Sequence, residues 1–320
     1  MKAVVYSKYG PPEVLTLTTL DKPKPKNNEI LIKVAASAVN AADWRLRKAE
    51  PALVRFFFGL TKPKQPVLGG VFSGEVVETG TNVSRFKKGD QVFGSAGLKM
   101  GGYAEYICIP ETAILSEKPV SLTYQEASCI PFGGTTAIYF LKKAGIQKGQ
   151  KVLIYGASGA VGTAAVQLAV HFGAEVTGVC STANLEMVRE IGAKKVIDYL
   201  KDDLTASLER YDIIFDTVGK MPYQALKASL KEKGTLILCG AGLGQMTQGQ
   251  WLKLRHGINV LAGVARERQD DLHYLTALAE QGEWKVVMDK SYKLEEIVEA
   301  HRYVEQGHKK GNVAIVVGEE

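Results

Sequence analysis

Cysteine and histidine are scarce in this 320-residue chain, which has four of the first and five of the second. Cys108, Cys129, Cys180 and Cys239 lie far apart and form no C-x-x-C pair, which argues against a disulfide framework or a zinc ribbon. Cys180 and Cys239 sit in apolar, strand-like runs and read as buried thiols. His171, His256, His273, His301 and His308 all fall in the second half, without the paired spacing of a metal site. No apolar run reaches membrane-spanning length. The opening residues already follow a strand pattern, so no signal peptide is expected. A cytoplasmic protein with no membrane partner is the expectation. The net charge is +6, but Lys and Arg are scattered. The densest basic group, Lys22-Pro23-Lys24-Pro25-Lys26, is broken by prolines and reads as a solvated linker. No nucleic-acid partner is expected from it. Internal repeats and low-complexity segments are missing too.

What is present is an ordinary globular composition, 46% hydrophobic and 23% charged, long enough for two domains. Over the first 120 residues, β-branched runs at 2–6, 14–18, 29–36, 74–79, 91–93 and 104–109 alternate with Gly and Pro punctuation. That spacing predicts a mostly β, barrel-like domain. Phe56-Phe57-Phe58, Pro63 and Pro66 mark an irregular insertion, either packing or pocket lining. From Ser121, read as an N-cap, the period turns helical, with helices predicted at 123–130 and 135–144. Strands at 151–155, 175–180, 195–198, 212–216, 234–239 and 259–264 then alternate with helices at 160–172, 185–191, 223–230 and 270–281. This is the pattern of an α/β, doubly wound parallel sheet. The tail, with a helix at 294–305 and a strand at 312–317, leaves that rhythm and is expected to return to the first domain.

The centre of the pattern is Lys151-Val152-Leu153-Ile154-Tyr155, followed by Gly156-Ala157-Ser158-Gly159-Ala160-Val161-Gly162. Val161, Ala165, Leu168 and Phe172 then share one helical face. Strand, glycine turn and helix make the phosphate-cradling start of a dinucleotide fold. The second strand ends Cys180-Ser181-Thr182-Ala183-Asn184, with no acid to bond a ribose 2′-hydroxyl. Ser181 can instead donate to a 2′-phosphate. NADPH is therefore favoured and NADH remains open. Ser181 and Asn184 are equally able to cap the following helix.

Five segments in order carry a resemblance to a known family. They are Gly74-Glu75-Val76-Val77-Glu78-Thr79-Gly80, Phe86-Lys87-Lys88-Gly89-Asp90-Gln91-Val92-Phe93-Gly94, Gly101-Gly102-Tyr103-Ala104-Glu105-Tyr106, Gly133-Gly134-Thr135-Thr136-Ala137 and the glycine turn. Together they resemble the medium-chain dehydrogenase/reductase superfamily, and within it the zinc-free quinone oxidoreductase branch. The resemblance implies a GroES-like β-barrel domain over 1–121 and 287–320, a Rossmann domain over 122–286, and an active site in the cleft between them.

Zinc is not implied. Asn40 stands where the zinc branch has a Cys, Gly69-Gly70-Val71 where it has Gly-His-Glu, and Ile130-Pro131-Phe132-Gly133 near its third ligand. The lobe of four cysteines is also missing. Position by position, the resemblance places Thr136 at the nicotinamide end and Ser158, Gly159, Ala160 and Val161 at the pyrophosphate. Ser181 and Tyr199 fall at the adenine ribose, with a surface aromatic the bland reading of Tyr199. Ala183 replaces an Arg common in relatives of this spelling. Val218, Cys239, Gly240 and Ala241 fall along the cofactor groove, Val264 near the carboxamide, and Asn312 where a Lys is common. For Val218 and Val264, core packing is the competing reading.

The chemistry implied is hydride transfer from NADPH to a quinone or to the β-carbon of an α,β-unsaturated carbonyl. Asn40 is the first candidate donor to the developing oxyanion. Asp43 is expected to orient a neighbour or cap a helix. Tyr103 reads mainly as packing, and Arg47 and Lys48 as solvated charge. The alternative is an NADPH-binding protein without turnover, a redox sensor or an RNA-binding or structural relative. A homodimer through the edge strand near 259–264 is expected.

Overall fold

The computed structural model describes residues 1–204, 209–239 and 258–318. The chain divides into two compact units. The first comprises Met1–Phe132, Arg268–Gly282 and Val286–Glu320, the second Gly133–Glu267 and Glu283–Lys285.

In the first unit, β1 (Lys2–Val5) pairs antiparallel with β2 (Thr16–Thr19). A seven-stranded sheet uses β3 (Glu29–Ala38), β4 (Val71–Thr79), β5 (Gln91–Ser95), β6 (Tyr106–Pro110), β7 (Ile114–Glu117), β14 (Met288–Lys293) and β15 (Asn312–Val316). Its order is β14-β15-β3-β4-β5-β7, with β6 also on β3. Two large clusters of apolar side chains hold this unit, beside a smaller one of Ala38, Val71, Cys129 and Ala314. One gathers Ile30, Ile32, Val34, Phe72, Val76, Val92 and Ile109. The other joins Val4, Tyr6, Val39, Leu46 and Tyr103 to Ile297, Val304, Val313 and Ile315. The C-terminal tail thus returns to this unit, through β15 on β3 and through the helix Ile297–Glu305. Two short helices, α1 (Ala41–Lys48) and α2 (Val54–Phe58), follow β3.

The second unit is a six-stranded parallel sheet of β8 (Lys151–Tyr155), β9 (Glu175–Cys180), β10 (Lys195–Asp198), β11 (Tyr211–Asp216), β12 (Leu230–Cys239) and β13 (Asn259–Gly263). Its order is β10-β9-β8-β11-β12-β13. Counted from β8, that is 3-2-1-4-5-6, the order of dinucleotide-binding sheets, with the topological switch between β8 and β11. Helices α4 (Ala160–His171), α5 (Leu185–Glu190) and α6 (Tyr223–Ser229) connect the strands.

Several expectations need correction. Residues 123–144 form not two helices but one, α3 (Tyr124–Lys143), which runs through Pro131. Pro131 forfeits one backbone bond, yet Ala127, Ile130, Ala137, Ile138 and Leu141 are fully buried along the helix. Burial of that row outweighs the local break. Its cap is Thr123 rather than Ser121. The Thr123 N–H and hydroxyl both meet Glu126 Oε2, and the Glu126 N–H returns to Thr123 Oγ1. The insertion at 54–58 is helical. The helix Gln269–Glu280 groups with the first unit, where Gln269 brackets Leu115 by bonding its N–H and C=O.

Candidate active site

The apolar core of β8 is buried and delivers the chain to Gly156, at φ +82°. That conformation favours glycine, and a Cβ here would lie 2.3 Å from Val218 Cγ2. A Cβ on Gly162 would lie 2.1 Å from the Gly156 carbonyl oxygen, so α4 begins pressed against the turn. Gly159 is different. It is the N-cap of α4, and the nearest atom to an added Cβ would be 3.7 Å away. Its open side lets another molecule approach the backbone. The N–H groups of Ala160, Val161 and Gly162 have no acceptor within the helix, and the helix dipole adds partial positive charge there. Ser158 sits in the same turn, half-buried. This cradle fits a pyrophosphate. Thr136 is buried on α3. Gly133, one turn before it, packs so closely that its Cβ would meet the Ala160 oxygen at 2.7 Å. The sequence therefore brings Thr136's helix against the start of α4.

At the end of β9, Cys180 is buried and Ser181 half-buried. Asn184 Nδ2 donates to Ser181 Oγ at 3.3 Å. One charged group here was missed from the sequence. β10 pairs with β9 so that Asp198 lies opposite Cys180. The Asp198 carboxylate accepts the Thr182 hydroxyl and, at 3.0 Å, the Leu200 N–H. The Thr182 bond holds its carboxyl below the ordinary range, so it is anionic at neutral pH. No acid ends β9, but one stands beside it, already engaged by two donors. Lys201 adds a cation acting on the same carboxylate. Tyr199 follows, 43% exposed, its N–H on the Cys180 oxygen.

Beyond β11, Asp216 is buried, and burial raises its pKa. Its carboxylate gathers the N–H groups of Val218, Gly219 and Met221 at 3.0, 2.7 and 3.0 Å and so shapes the loop. Val218 is 42% and Val264 94% exposed, which excludes core packing for both. Cys239 ends β12 and is half-buried rather than buried. Gly240 and Ala241 lie outside the described residues.

Asn40, Asp43 and Asn312 belong to the first unit. Asn40 caps α1 and shares a capping box with Asp43. Asp43 Oδ2 accepts the Asn40 N–H at 2.8 Å, and Oδ1 accepts the Gly69 and Gly70 N–H groups, both at 3.2 Å. One buried carboxylate thus fixes two segments that sequence separates. Burial pushes its pKa up to about 6 against those bonds. Ala38 pairs with Ala314, so continuing the β15–β3 register sets Asn40 opposite Asn312. Asn312 donates its N–H and Nδ2 to the Val287 oxygen, at 2.9 and 3.1 Å. Asn40 Nδ2 and Asn312 Oδ1 are both buried and without a partner. A free donor and a free acceptor therefore share one end of this strand pair. Such groups are costly unless a ligand or water completes them.

Tyr103 packs in the core, its hydroxyl donating to the Ala38 oxygen and its ring edge-on to His301. Arg47 corrects the expectation of solvated charge. It is fully buried, and its Nη2 bonds Glu305, which Lys48 also meets at 2.7 Å. As for metals, Asn40 and Gly70 offer neither thiolate nor imidazole, and Asp43 is engaged by backbone N–H groups. Among the described residues no group of three or more His, Cys, Asp or Glu is placed to hold an ion.

The chain is similar to known proteins over nearly its whole length. A family profile described as "Zinc-binding dehydrogenase" matches residues 191–315, and one described as "Alcohol dehydrogenase GroES-like domain" matches 26–119. The 2-methylene-furan-3-one reductase of Solanum lycopersicum is 31% identical, over 98% of this chain and 79% of its own. The chloroplastic NADPH-dependent alkenal/one oxidoreductase of Arabidopsis thaliana matches at 31%, with the same coverage. Among solved structures, the quinone oxidoreductase from Coxiella burnetii has a TM-score of 0.89 at 30% identity, covering 99% of each chain.

Proposed function

The chain belongs to the medium-chain dehydrogenase/reductase superfamily, in its quinone oxidoreductase branch, and from that premise we propose that it reduces quinones or α,β-unsaturated carbonyls with NADPH and without zinc. The observation that carries the proposal is the buried, unpartnered Asn40 Nδ2. When bound, NADPH supplies a hydride to an electron-poor carbon. Asn40 donates to the acceptor oxygen as negative charge collects there, and its amide does so without titrating. Asp43 is a positioning residue that holds Asn40 and the Gly69-Gly70 backbone in one arrangement. Asn312 Oδ1 offers an acceptor for an amide or hydroxyl of a bound molecule. Ser158, Gly159, Ala160 and Val161 hold the pyrophosphate, and Thr136 lies at the nicotinamide end.

Metal independence is supported by the donor set at Asn40 and Gly70, where a catalytic zinc would want thiolate or imidazole. The preference for NADPH rests on the missing acid after β9. Asp198 does not reverse it, because Thr182 and Leu200 already engage its carboxylate. Ser181 donates to the 2′-phosphate, and Lys201 supplies the cation that Ala183 does not. Tyr199 lies against the adenine ribose, Val218 and Cys239 line the groove, and Val264 lies near the carboxamide. A homodimer through β13, the sheet's last strand among the described residues, and a cytoplasmic location complete the proposal. No helix of the described residues is long and apolar enough to cross a membrane.

The test is NADPH and NADH oxidation across a panel of quinones and alkenals, before and after chelation. Turnover with NADPH that survives chelation is expected. Loss with EDTA and recovery with zinc refutes metal independence. Saturable NADPH binding without turnover favours a binding protein instead.

A further inference from the structure

The proposed chemistry does not use one feature of the first unit. Leu53, Phe56, Phe57 and Leu60 are 51, 68, 74 and 63% exposed. Leu53 caps α2, Phe56 and Phe57 lie within it, and Leu60 follows the Gly59 that ends it, so one short segment carries an exposed apolar stripe along the chain. Here it faces solvent because α2 is anchored by its other side. Val54 and Phe58 pack on the core cluster around Val4, Leu46 and Tyr103. The segment is also tied at its far end. The Tyr9 hydroxyl donates to the Gly59 oxygen at 2.8 Å, and the Lys64 N–H to the Phe58 oxygen at 2.8 Å. Gly59, at φ +123°, turns so tightly that a Cβ would lie 2.0 Å from the Lys62 oxygen. The stripe is thus built into the fold and not left over from a loose loop.

Charge indicates what covers it. Arg55, Lys62 and Lys64 are all exposed, and residues 51–74 contain no Asp or Glu. A second copy across a two-fold axis would set these cations against their own counterparts, which is repulsive. A surface that takes large apolar side chains and offers anions satisfies both halves of the patch.

We propose that residues 53–64 dock the protein on an anionic lipid surface. Leu53, Phe56, Phe57 and Leu60 enter the headgroup–acyl boundary, and Arg55, Lys62 and Lys64 meet lipid phosphates and carboxylates. This is peripheral binding and needs no spanning segment, and it does not depend on which acceptor the protein reduces.

The experiment is sedimentation of the full chain with phosphatidylcholine vesicles, with and without phosphatidylserine, at low and high salt. Binding is expected with phosphatidylserine and should weaken with salt. Phe56→Ser/Phe57→Ser should lower the partition coefficient by about tenfold or more. Arg55→Gln/Lys62→Gln/Lys64→Gln should remove the dependence on phosphatidylserine. These side chains are exposed, so unchanged thermal melts are expected for both variants. Failure to sediment with either vesicle overturns the proposal, as does binding that neither variant alters. It is equally overturned if light scattering shows a dimer that the Phe variant dissociates, which would give the face to a second copy.

Discussion

Asp43→Asn is the most informative perturbation of the first unit. Asp43 is 1% exposed, and burial lifts its carboxyl from 3.8 to about 6 even though three N–H groups bond its ionised form. A raised carboxyl binds its proton more tightly in the folded chain than in the unfolded one. The stability this contributes is full below the unfolded value, near 4, and is lost as pH rises through about 6. The shift corresponds to about 3 kcal/mol, at ~1.4 kcal/mol per unit. In the Asp43→Asn variant the side-chain oxygen can keep the Gly69 and Gly70 bonds, but the new amide nitrogen would face the Asn40 N–H. That mismatch costs roughly 1–3 kcal/mol at every pH. The assay is urea unfolding of both proteins from pH 4 to pH 7.5, followed by far-UV circular dichroism. The difference between them should fall by about 3 kcal/mol with rising pH, as only the wild type loses stability through this carboxyl. A difference independent of pH would refute the reasoning.

The remaining predictions concern other parts of the molecule. Asn40→Ser keeps a capping oxygen and removes the Nδ2 donor, so kcat should fall about a hundredfold while NADPH affinity by fluorescence titration holds. Gly162→Ala sets a Cβ 2.1 Å from the Gly156 oxygen, so the same titration should show NADPH binding lost or severely weakened. His301→Leu removes a fully buried imidazole whose two nitrogens have no partner and whose pKa burial lowers to about 3. The wild type should lose stability as pH falls from 6.5 toward 3, by roughly 5 kcal/mol at the limit, and urea titrations of the variant should show that loss abolished. Arg47→Ala removes a fully buried side chain and one of the two cations on Glu305, which keeps Lys48, and should cost roughly 1–3 kcal/mol in urea titrations at pH 7.

Much of the second unit could be read from sequence because buried parallel strands are compact apolar runs bounded by turn residues. β8 and β10 lie where those runs predict them. The misread elements are those whose shape depends on distant partners. β14, Met-Asp-Lys-Ser-Tyr-Lys, carries no apolar alternation and forms through its backbone pairing with β15. Helix α1 has eight residues, too few for a periodic signal, although Asn40-x-x-Asp43 marked its start. Pro131 locally disfavours a continuous helix, and burial of the surrounding face overrides it. Arg47 looked like surface charge because its partner stands 258 residues away. Asp198 escaped notice because only the strand order brings it beside Ser181. At the candidate site, residue identities were legible, whereas the lone amide donor on Asn40 and the triple grip of Asp43 emerged only from the packed structure.

The clasp of Glu305 on Arg47 and Lys48 bears on how the molecule comes into being. α1, which begins with Asn40's cap and contains Asp43, is held from the far end of the chain. Its strand, β3, also waits for β15, and the Val39 N–H for the Val313 oxygen. During synthesis these partners leave the ribosome after the whole of the second unit's sheet, so the first unit stays open until then. The second unit draws on residues 133–267 and only three from later in the chain. Its strands pair across about 60 residues or fewer, as Val152 does with Ile213, whereas β3 and β15 are more than about 250 apart, and shorter loops close at lower entropic cost. Folding is therefore expected to run against the order of synthesis, with the parallel sheet ordered first and the amino-terminal site closed last.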